Sequence, residues 1–417
     1  MSSAPPPAFR PLPIRAFNAL GRGASKLGVR GFSLAEDSLL AAARSAAKSS
    51  DFGSETFLTG LRVLLDSLER DAALNAFGRY FAQRQVLELL VCRLRLVDWR
   101  KRHAEVAAQR IVRPLFVLGL PRTGTTLLYS LLALDPAHRS PLSWEVDDPC
   151  PPAEGASYAS DPRIAKSEWR FSQLRQLARG IQAIHPVGAA LPQECIVITA
   201  SEFTSIRFEM CFDVPTYQRW LLEAEMTGCY EWHRRFLQHM QSRYARERWV
   251  LKSPGHLGTI DALLAAYPDA LIVQTHRDPR RVVPSVSSLE WTLRQVASDA
   301  RDPHALGRQQ LHAWSQTLRN GMRARERRIA QADQFLDLHF HEITADAVGC
   351  VRRIYDHFGL ALTPELERSM RGYVAAHPRE EHGAHRYTLE GFGLRAEEVD
   401  DAFADYTARY AVKREGA

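Results

Sequence analysis

The sequence predicts an α/β fold in which helices flank a parallel sheet, a glycine-rich P-loop-like turn follows one strand, and a helical segment precedes the sheet. Short apolar runs that alternate with helical patterns are typical of a parallel sheet covered on both faces. Two of these runs end in loops rich in glycine, proline and basic residues. Ahead of them, apolar residues recur at three- and four-residue spacings, which is the period of packed helices.

The same patterns divide the chain into parts. The N-terminal stretch is acid-poor, contains several prolines and arginines, and has a poor helical period, so it is predicted to be a flexible arm. A transit peptide or a membrane-surface arm is the alternative for it. The predicted boundaries are residues 1–33 for the basic Pro-rich arm, 34–110 for the helical N-terminal segment and 111–417 for the α/β domain, with a helical, aromatic-rich insertion at about 149–248 and a polar loop at about 378–394.

Three strand–loop–helix units are predicted in the α/β domain. Each begins with a short apolar run, continues into a polar loop and ends in a helical pattern. Because the carboxyl ends of parallel strands meet at one edge of a sheet, these loops are expected on the same side of the molecule. The predicted strands are residues 115–118, 249–251 and 270–275, and the helices after them are residues 127–134, 259–267 and 281 onward.

Composition limits the classes of function. The net charge of +6 indicates a mildly basic surface. Because no nucleic-acid motif or long Lys/Arg run is present, we expect an anionic small ligand and not nucleic acid. The six cysteines form no CxxC pair, so neither zinc nor a disulfide framework is expected, and a reducing, cytoplasmic compartment fits. No apolar run approaches the roughly 18 residues that a transmembrane helix needs.

The strongest motif is GLPRTGTT at residues 119–126. Its two glycines are five apart, as in the phosphate loop GxxxxGK[ST]. Glycines let successive N–H groups point into one concavity, and the following helix adds its positive N-terminal end. Thr125 stands where nucleotide triphosphatases have lysine, and Arg122 lies inside the loop. We therefore expect one phosphate with an adjacent reacting group, bound by Thr125 and Thr126. A plain strand–turn–helix is the alternative.

A second motif occupies residues 248–289 and reads RWVLKSPGHLGTIDALLAAYPDALIVQTHRDPRRVVPSVSSL. Arg277 ends a predicted strand, and Ser285 lies eight residues later on the predicted helix. This spacing can bring a guanidinium group and a hydroxyl group to one anion. A nucleoside with a phosphate at each end would use both loops.

The motifs PRTGTT, KSP and RDP, the last with a serine eight residues after its arginine, resemble those of the sulfotransferase superfamily. The resemblance favours the branch of protein-tyrosine sulfotransferases and their bacterial relatives, and it runs from about residue 78 to residue 394. It implies a P-loop-like nucleotide site and a sulfonate donor, 3′-phosphoadenosine 5′-phosphosulfate (PAPS). It also implies an acceptor with a hydroxyl or amine group, and it requires no metal.

The same resemblance assigns roles to residues of this chain. It implies that Arg277 and Ser285 hold the 3′-phosphate of PAPS. The polar loop at about 378–394 would close over the nucleotide. The residues implied for the 5′-phosphosulfate are Arg122, Thr123, Gly124, Thr125 and Thr126, and those implied in the covering loop are His385, Arg386 and Tyr387.

Sulfonate transfer needs a general base and positive groups on the leaving phosphate. Glu145 is one candidate base, because the resembling branch has a catalytic glutamate at similar range after the first helix. His256 is the rival, because cytosolic sulfotransferases carry the motif KxH, which is lengthened here to KxxxH. Lys252 matches the family lysine that contacts the sulfonate. Glu194 is a further candidate acid on the substrate side. The ordinary alternative for Glu145 is a solvated carboxylate, and that for His256 is a structural histidine.

The predicted insertion is dense in aromatic residues. Such residues usually form core, but some of them could line an acceptor pocket, which would suit a hydrophobic small molecule or lipid. A P-loop kinase or ATPase and a non-catalytic nucleotide-binding scaffold are the alternative functions. Whether the chain forms homo-oligomers or touches a membrane surface stays open. The aromatic residues are Phe203, Phe208, Phe212, Tyr217, Trp220, Tyr230 and Trp232.

Overall fold

A five-stranded parallel sheet lies at the centre of the molecule, in the strand order β2-β3-β1-β4-β5. It is seen in a computed structural model that describes residues 10–27, 31–177, 187–300, 302–377 and 387–415. The predicted strands are β1, β3 and β4, with ends that differ by one residue, whereas β2 and β5 were not predicted. The strands are β1 (Leu115–Gly119), β2 (His138–Arg139), β3 (Arg248–Lys252), β4 (Leu271–His276) and β5 (Phe335–His339).

Helices cover the sheet and precede it, as the sequence predicted. A short 3₁₀ turn, Pro254–Gly258, follows β3. The helices are α1 (Leu12–Lys26), α2 (Glu36–Ala47), α3 (Phe57–Arg70), α4 (Ala76–Arg102), α5 (Thr125–Leu132), α6 (Ser143–Asp147), α7 (Pro162–Leu177), α8 (Ile196–Ala200), α9 (Arg207–Cys211), α10 (Pro215–Glu223), α11 (Thr227–Gln241), α12 (Ile260–Ala266), α13 (Pro279–Ala297), α14 (Pro303–Arg327), α15 (Phe340–Ala345), α16 (Ala347–Phe358), α17 (Pro364–Ala376), α18 (Ala396–Ala402) and α19 (Ala404–Arg409).

Alternate residues of β1 enter two separate cores, one on each face of the sheet. Phe116 and Leu118 pack in a core that includes side chains from α11, α12 and α14. Leu115 and Val117 pack on the other face against α5 and α16. All four side chains are fully buried. A strand buried on both faces reads as a continuous apolar run, which is why its sequence predicted a parallel sheet.

Two glycines fix the turn after β1. Gly119 has φ of 147°, and a Cβ atom there would lie 2.6 Å from the carbonyl oxygen of Thr275 on β4. Gly124 has φ of 90° immediately before α5 begins. Only glycine allows both the left-handed backbone and the close approach to β4. The spacing that marked the loop in the sequence therefore has a steric cause.

The prediction of a flexible arm over residues 1–33 is wrong for α1. This helix lies against α4, where Ile14 and Asn18 are buried. The side-chain oxygen of Asn18 accepts a hydrogen bond from the Phe77 N–H at 2.8 Å. Contacts with α4 supply the stability that the sequence of α1 alone does not indicate.

The helical N-terminal segment and the insertion share one hydrophobic core. Phe203, Phe208 and Tyr217 pack there with side chains of α2, α3 and α4. Most of the aromatic residues of the insertion are therefore core residues. Among the described residues, no helix combines the length and the apolar character needed to span a membrane. The domain boundaries drawn from the sequence remain a prediction.

Candidate active site

A cavity of about 520 Å³, here called the edge cavity, opens where β1, β3 and β4 end. The loop after β1 contributes Arg122, β3 contributes Lys252, and the loop after β4 contributes Arg277. The edge of the sheet thus brings together residues from both predicted motifs. The other lining residues are Pro121, Gly124, Thr125, Thr126, Gln193, Glu194, Ile196, Ile206, Glu209, Met210, Pro254, Val286, Leu289, Glu290, Trp314, Phe340 and Tyr387.

The loop between β1 and α5 is fastened to the sheet by Thr123. The Thr123 hydroxyl donates to the carbonyl oxygen of Leu120 at 2.7 Å, and its Oγ1 lies 2.5 Å from Oγ1 of Thr275. The side chain is fully buried, so it does not reach the cavity. Sequence analysis expected Thr123 to hold phosphate, and its hydroxyl is instead used inside the protein. Next to it, Arg122 adopts φ of 67°, a left-handed conformation that is uncommon for a residue with a Cβ atom.

The N-terminus of α5 forms one end of the edge cavity. Thr125 and Thr126 line the cavity and belong to the first turn of the helix, whose N–H groups have no partner within it. The helix dipole adds a positive potential at this end. Thr126 Oγ1 lies 3.4 Å from Nζ of Lys252. Backbone donors, two hydroxyl groups and an ammonium group thus surround one place, an arrangement that suits an oxyanion.

Lys252 and Glu194 form a buried ion pair on the wall of the edge cavity. The two atoms Lys252 Nζ and Glu194 Oε1 are 2.5 Å apart, and the lysine side chain is 3% exposed. The backbone holds them together as well, because the Cys195 N–H donates to the Lys252 carbonyl oxygen at 2.9 Å. The sequence indicated Lys252 as a site residue and Glu194 only as a minor candidate. The structure places both at the same point.

Arg122, Arg277 and Ser285 form one cluster, in which Arg122 contacts each of the other two residues. Nη1 of Arg277 donates to the Arg122 carbonyl oxygen at 2.7 Å, and Nε of Arg122 donates to Oγ of Ser285 at 3.3 Å. Nε and Nη2 of Arg277 donate to the Glu415 carboxylate at 2.7 and 2.9 Å, and its guanidinium lies 3.6 Å from the centre of the Phe340 ring. Burial and the neighbouring Arg277 lower the pKa of the Arg122 guanidinium. Two adjacent guanidinium groups favour an anion beside them.

Glu145, the first predicted base, is a partner in a buried ion pair and is not part of the lining of the edge cavity. Its carboxylate accepts hydrogen bonds from Nη2 of Arg139 and, at 3.0 Å, from the Tyr158 hydroxyl. Arg139 also donates to the carbonyl oxygens of Met240 and Tyr244. Burial raises the pKa of Glu145, and Arg139 and Tyr158 oppose that rise. These contacts account for the burial of the carboxylate, and the role of Glu145 as a base stays a prediction.

His256, the second predicted base, lies on the 3₁₀ turn after β3 and is also absent from the lining of the edge cavity. Its Nδ1 is 2.7 Å from the Tyr230 hydroxyl oxygen. Burial lowers the pKa of the imidazole well below its usual value. In the predicted covering loop, Tyr387 lines the edge cavity. His385 and Arg386 lie outside the residues that the structure describes.

A second, smaller cavity, of about 70 Å³, adjoins the first and is here called the apolar cavity. Both cavities are lined by Ile196, Ile206, Glu209 and Trp314, so they meet at these side chains. The walls come from α8, α10, α14 and the 3₁₀ turn after β3. Polar side chains also contribute to the lining. The further lining residues are Thr199, Thr204, Ser205, Gln218, Leu221, Leu222, Met226, Tyr230, Ser253, Gly255, His256, Gly258, Thr259, Ala313, Thr317 and Asn320.

Two buried glutamates that sequence analysis missed lie beside this junction. Glu209 lines both cavities, and its Oε2 has no hydrogen-bond partner among the described residues. Glu290 accepts hydrogen bonds from Arg294 and Gln310 at 2.7 and 2.8 Å. Burial raises the pKa of Glu209 to about 7. Burial also raises the pKa of Glu290 to about 8, with Arg294 opposing and Glu209 adding to the rise. Neither residue belongs to a sequence motif, so no local signal marked them.

The fold and the arrangement of these side chains are consistent with the family to which the sequence matches. A family model described as "Sulfotransferase family" matches residues 114–364, more than half of the chain. The chain belongs to the sulfotransferase family and is an enzyme of that class.

Solved structures of two mycobacterial sulfotransferases are similar to this chain over most of its length. STF1 from Mycobacterium tuberculosis H37Rv is 33% identical with a TM-score of 0.80, covering 90% of this chain and 100% of that one. STF9 from Mycobacterium avium is 30% identical with a TM-score of 0.83, covering 93% and 100%. The chain is also 26% identical over 319 residues to the omega-hydroxy-beta-dihydromenaquinone-9 sulfotransferase Stf3 of Mycobacterium bovis, covering 72% of this chain and 76% of the relative. The α/β fold and the resemblance predicted from the sequence are confirmed.

Proposed function

We propose that the chain transfers a sulfonate group from PAPS to a hydroxyl group of a hydrophobic acceptor. The observation that carries the donor is the convergence of two anion sites on the edge cavity. One consists of the N-terminus of α5 and Lys252 and would hold the 5′-phosphosulfate. The other is the cluster of Arg122, Arg277 and Ser285, which would hold the 3′-phosphate. A nucleoside that carries a phosphate group at each end engages both.

A nucleoside triphosphate suits this cavity less well. Thr125 occupies the position at which P-loop nucleotide triphosphatases have the lysine that reaches the terminal phosphates. Lys252 approaches from a different strand and is already paired with Glu194. A kinase or ATPase is therefore the weaker reading, and the experiment below separates it from the proposed donor.

The apolar cavity supports a hydrophobic acceptor. It adjoins the edge cavity beside Glu209, so an apolar chain placed in it would direct its end toward the donor. The relative Stf3 is named for the acceptor omega-hydroxy-beta-dihydromenaquinone-9. For this chain we infer an acceptor that carries a hydroxyl group at the end of an apolar part.

In the proposed reaction, the acceptor oxygen attacks sulfur in line with the bond to the 5′-phosphate, which breaks as the new sulfur–oxygen bond forms. Glu194 is the best-placed proton acceptor, because its carboxylate lines the edge cavity beside Lys252. Lys252 and the start of α5 stabilise charge on the transferring oxygens and the leaving phosphate. Glu145 and His256, the bases that the sequence suggested, are disfavoured because their partners are buried side chains outside the edge cavity.

Calorimetry with 3′-phosphoadenosine 5′-phosphate, the spent donor, tests the donor site. The wild-type chain should bind this bisphosphate much more tightly than 5′-AMP. Arg277→Ala should weaken bisphosphate binding by about 1.5–3 kcal/mol, roughly 10–150-fold, and leave AMP binding nearly unchanged. The exposed Arg308→Ala is the matched control. Tight binding of ATP with magnesium that is indifferent to Arg277→Ala would overturn the proposal in favour of a kinase or ATPase.

A further inference from the structure

A cluster of one thiol and two imidazole groups lies buried behind the wall of the edge cavity. It consists of Cys195 just before α8, His233 on α11 and His256 on the 3₁₀ turn after β3. One ligand-type atom of each residue lies within 4.8 Å of those of the other two. Cys195 and His233 are fully buried and His256 is 3% exposed. The reaction proposed above uses none of these three groups.

Each imidazole lies within hydrogen-bond distance of a tyrosine hydroxyl group. Nδ1 of His256 is 2.7 Å from the Tyr230 hydroxyl oxygen, and Nδ1 of His233 is 2.7 Å from the Tyr267 hydroxyl oxygen. Nε2 of both rings is buried and has no hydrogen-bond partner among the described residues. An imidazole that is hydrogen-bonded through one nitrogen, with its other nitrogen available to an ion, is the arrangement of histidine metal ligands and their outer partners.

We propose that Cys195, His233 and His256 bind one thiophilic closed-shell cation, Cu⁺ or Zn²⁺. A thiolate with two neutral imidazoles is a donor set that both ions accept. Binding releases the thiol proton to solvent, and each imidazole coordinates through the lone pair of Nε2. No fourth histidine, cysteine or carboxylate joins the group within the parts of the chain that the structure describes. This favours the low coordination number of Cu⁺, whereas Zn²⁺ would need an additional ligand such as water.

The cluster lies next to the Lys252–Glu194 pair along the chain, and this position suggests a structural role for the ion. Cys195 follows Glu194 in the chain, and its N–H donates to the Lys252 carbonyl oxygen at 2.9 Å. His256 lies four residues after Lys252. An ion held here would link α11, the 3₁₀ turn and the start of α8 behind the Lys252–Glu194 pair. It would be a structural ion that positions this pair, and it would take no part in the transfer. Because Tyr230 and His256 line the apolar cavity, that cavity offers a way in.

Metal content of the untagged full chain tests the site. Protein from cells supplied with copper and zinc should contain close to one equivalent of one of the two metals by mass spectrometry. Cys195→Ser should lose it. Cys150→Ser is the matched control, because Cys150 is a partly buried thiol beside an imidazole, with its Sγ 3.6 Å from Nε2 of His239. The control should retain the metal.

A second measurement protects the test against a variant that fails to fold. Wild-type protein stripped of metal is titrated with Co²⁺, Zn²⁺ and Cu⁺, with a chromogenic chelator as competitor for each ion. The site is supported if wild type shows a thiolate-to-Co²⁺ absorption band that Cys195→Ser loses and Cys150→Ser keeps. It is also supported if one metal equivalent raises the melting temperature. Absence of metal in the isolated protein together with no uptake by the stripped protein overturns it. Equal uptake by wild type and Cys195→Ser overturns it as well. Donor binding by the same samples is measured separately, so failure of the metal site and failure of the donor site are distinguishable.

Discussion

The two ends of the joined cavities are built in different ways. The proposed donor end lies where β1, β3 and β4 end, and it presents Arg122, Lys252 and Arg277. The acceptor end comes from the short helices α8, α9 and α10 and from α14, and its walls are mainly apolar. Loops anchored to a sheet hold charged groups in fixed positions, and this rigidity is what transition-state stabilisation requires. Short helices packed on one another can change shape through single substitutions, so acceptor choice can vary while donor chemistry is kept.

The two ends of the joined cavities also differ in the charges of their side chains. The donor end gathers cations, and its acid Glu194 is paired with Lys252. At the junction, Glu209 and Glu290 are buried acids whose pKa values are raised to about 7 and about 8. Burial favours the neutral form of both acids, and a neutral carboxyl group does not repel a donor that carries several negative charges. The protein thus places carboxyl groups near its donor site without filling that site with negative charge.

The largest expected effect is on the transfer step at the donor end. Glu194→Gln should lower kcat by about 10²–10⁴-fold, because the proton of the acceptor hydroxyl loses its base. Binding of the spent donor by calorimetry should change little. Initial rates of donor consumption measure the effect, and Glu154→Gln, an exposed acid paired with Arg243, is the control. If Glu145→Gln folds and loses activity while Glu194→Gln keeps it, the base is the one that the sequence suggested.

A smaller effect is expected from the acceptor end. Leu222→Trp should fill part of the apolar cavity and exclude about two methylene groups of a long acceptor, which corresponds to about a tenfold higher KM. Donor affinity should be unaffected, because Leu222 does not line the edge cavity. Steady-state rates with acceptors of increasing chain length measure the effect. Ile329→Trp, at a site that is 74% exposed, should behave as wild type. An unchanged KM for every chain length would show that the acceptor does not enter this cavity.

The hydrogen bonds of Asp337 on β5 can be tested by measuring the free energy of unfolding. Asp337 on β5 accepts hydrogen bonds from Arg325 at 2.6 and 2.9 Å, and Nε2 of His276 lies 2.8 Å from its carboxylate. Hydrogen bonds from His276 and Arg325 outweigh burial and depress the pKa of Asp337 well below its usual value. Its contribution to stability is therefore present above the unfolded-state pKa of about 4 and is lost as pH falls below it. Asp337→Asn should cost about 1–2 kcal/mol at neutral pH in urea unfolding. Equal stability of the two proteins at pH 7 would contradict this account.

The smallest expected effect is a change in how stability varies with pH. The raised pKa of Glu290 means that its contribution is complete below the unfolded-state value of about 4.5 and is lost as pH rises toward about 8. Glu290→Gln cannot ionise, so its unfolding free energy should fall less over this interval than that of wild type. Urea unfolding at pH 5, 7 and 9 compares the slopes, with Glu326→Gln, an acid on the surface, as control. Parallel curves for wild type and Glu290→Gln would contradict the shift.

Sequence patterns predicted the loops of the proposed donor end because the determinants of these loops are local. The glycine spacing of residues 119–126 reflects steric requirements within one turn, and apolar runs reflect strands buried on both faces. Arg277 and Ser285 share one strand–helix unit, so their spacing already implied their proximity. The flexible arm was wrong because the helix α1 owes its stability to α4, which the pattern of α1 does not contain.

Tertiary structure alone decided where individual side chains point. The carboxylate of Glu145 contacts Arg139 and the hydroxyl of Thr123 contacts Thr275, although Glu145 lies at the predicted range after the loop and Thr123 lies within it. Glu194 is 58 residues from Lys252 in sequence, yet the two form an ion pair. The sequence by itself therefore determined the three central strands β1, β3 and β4, the glycine-rich loop and the family. Which acids reach the cavity was decided by packing between distant segments, because pairs far apart in the chain leave no periodic or local trace in the sequence.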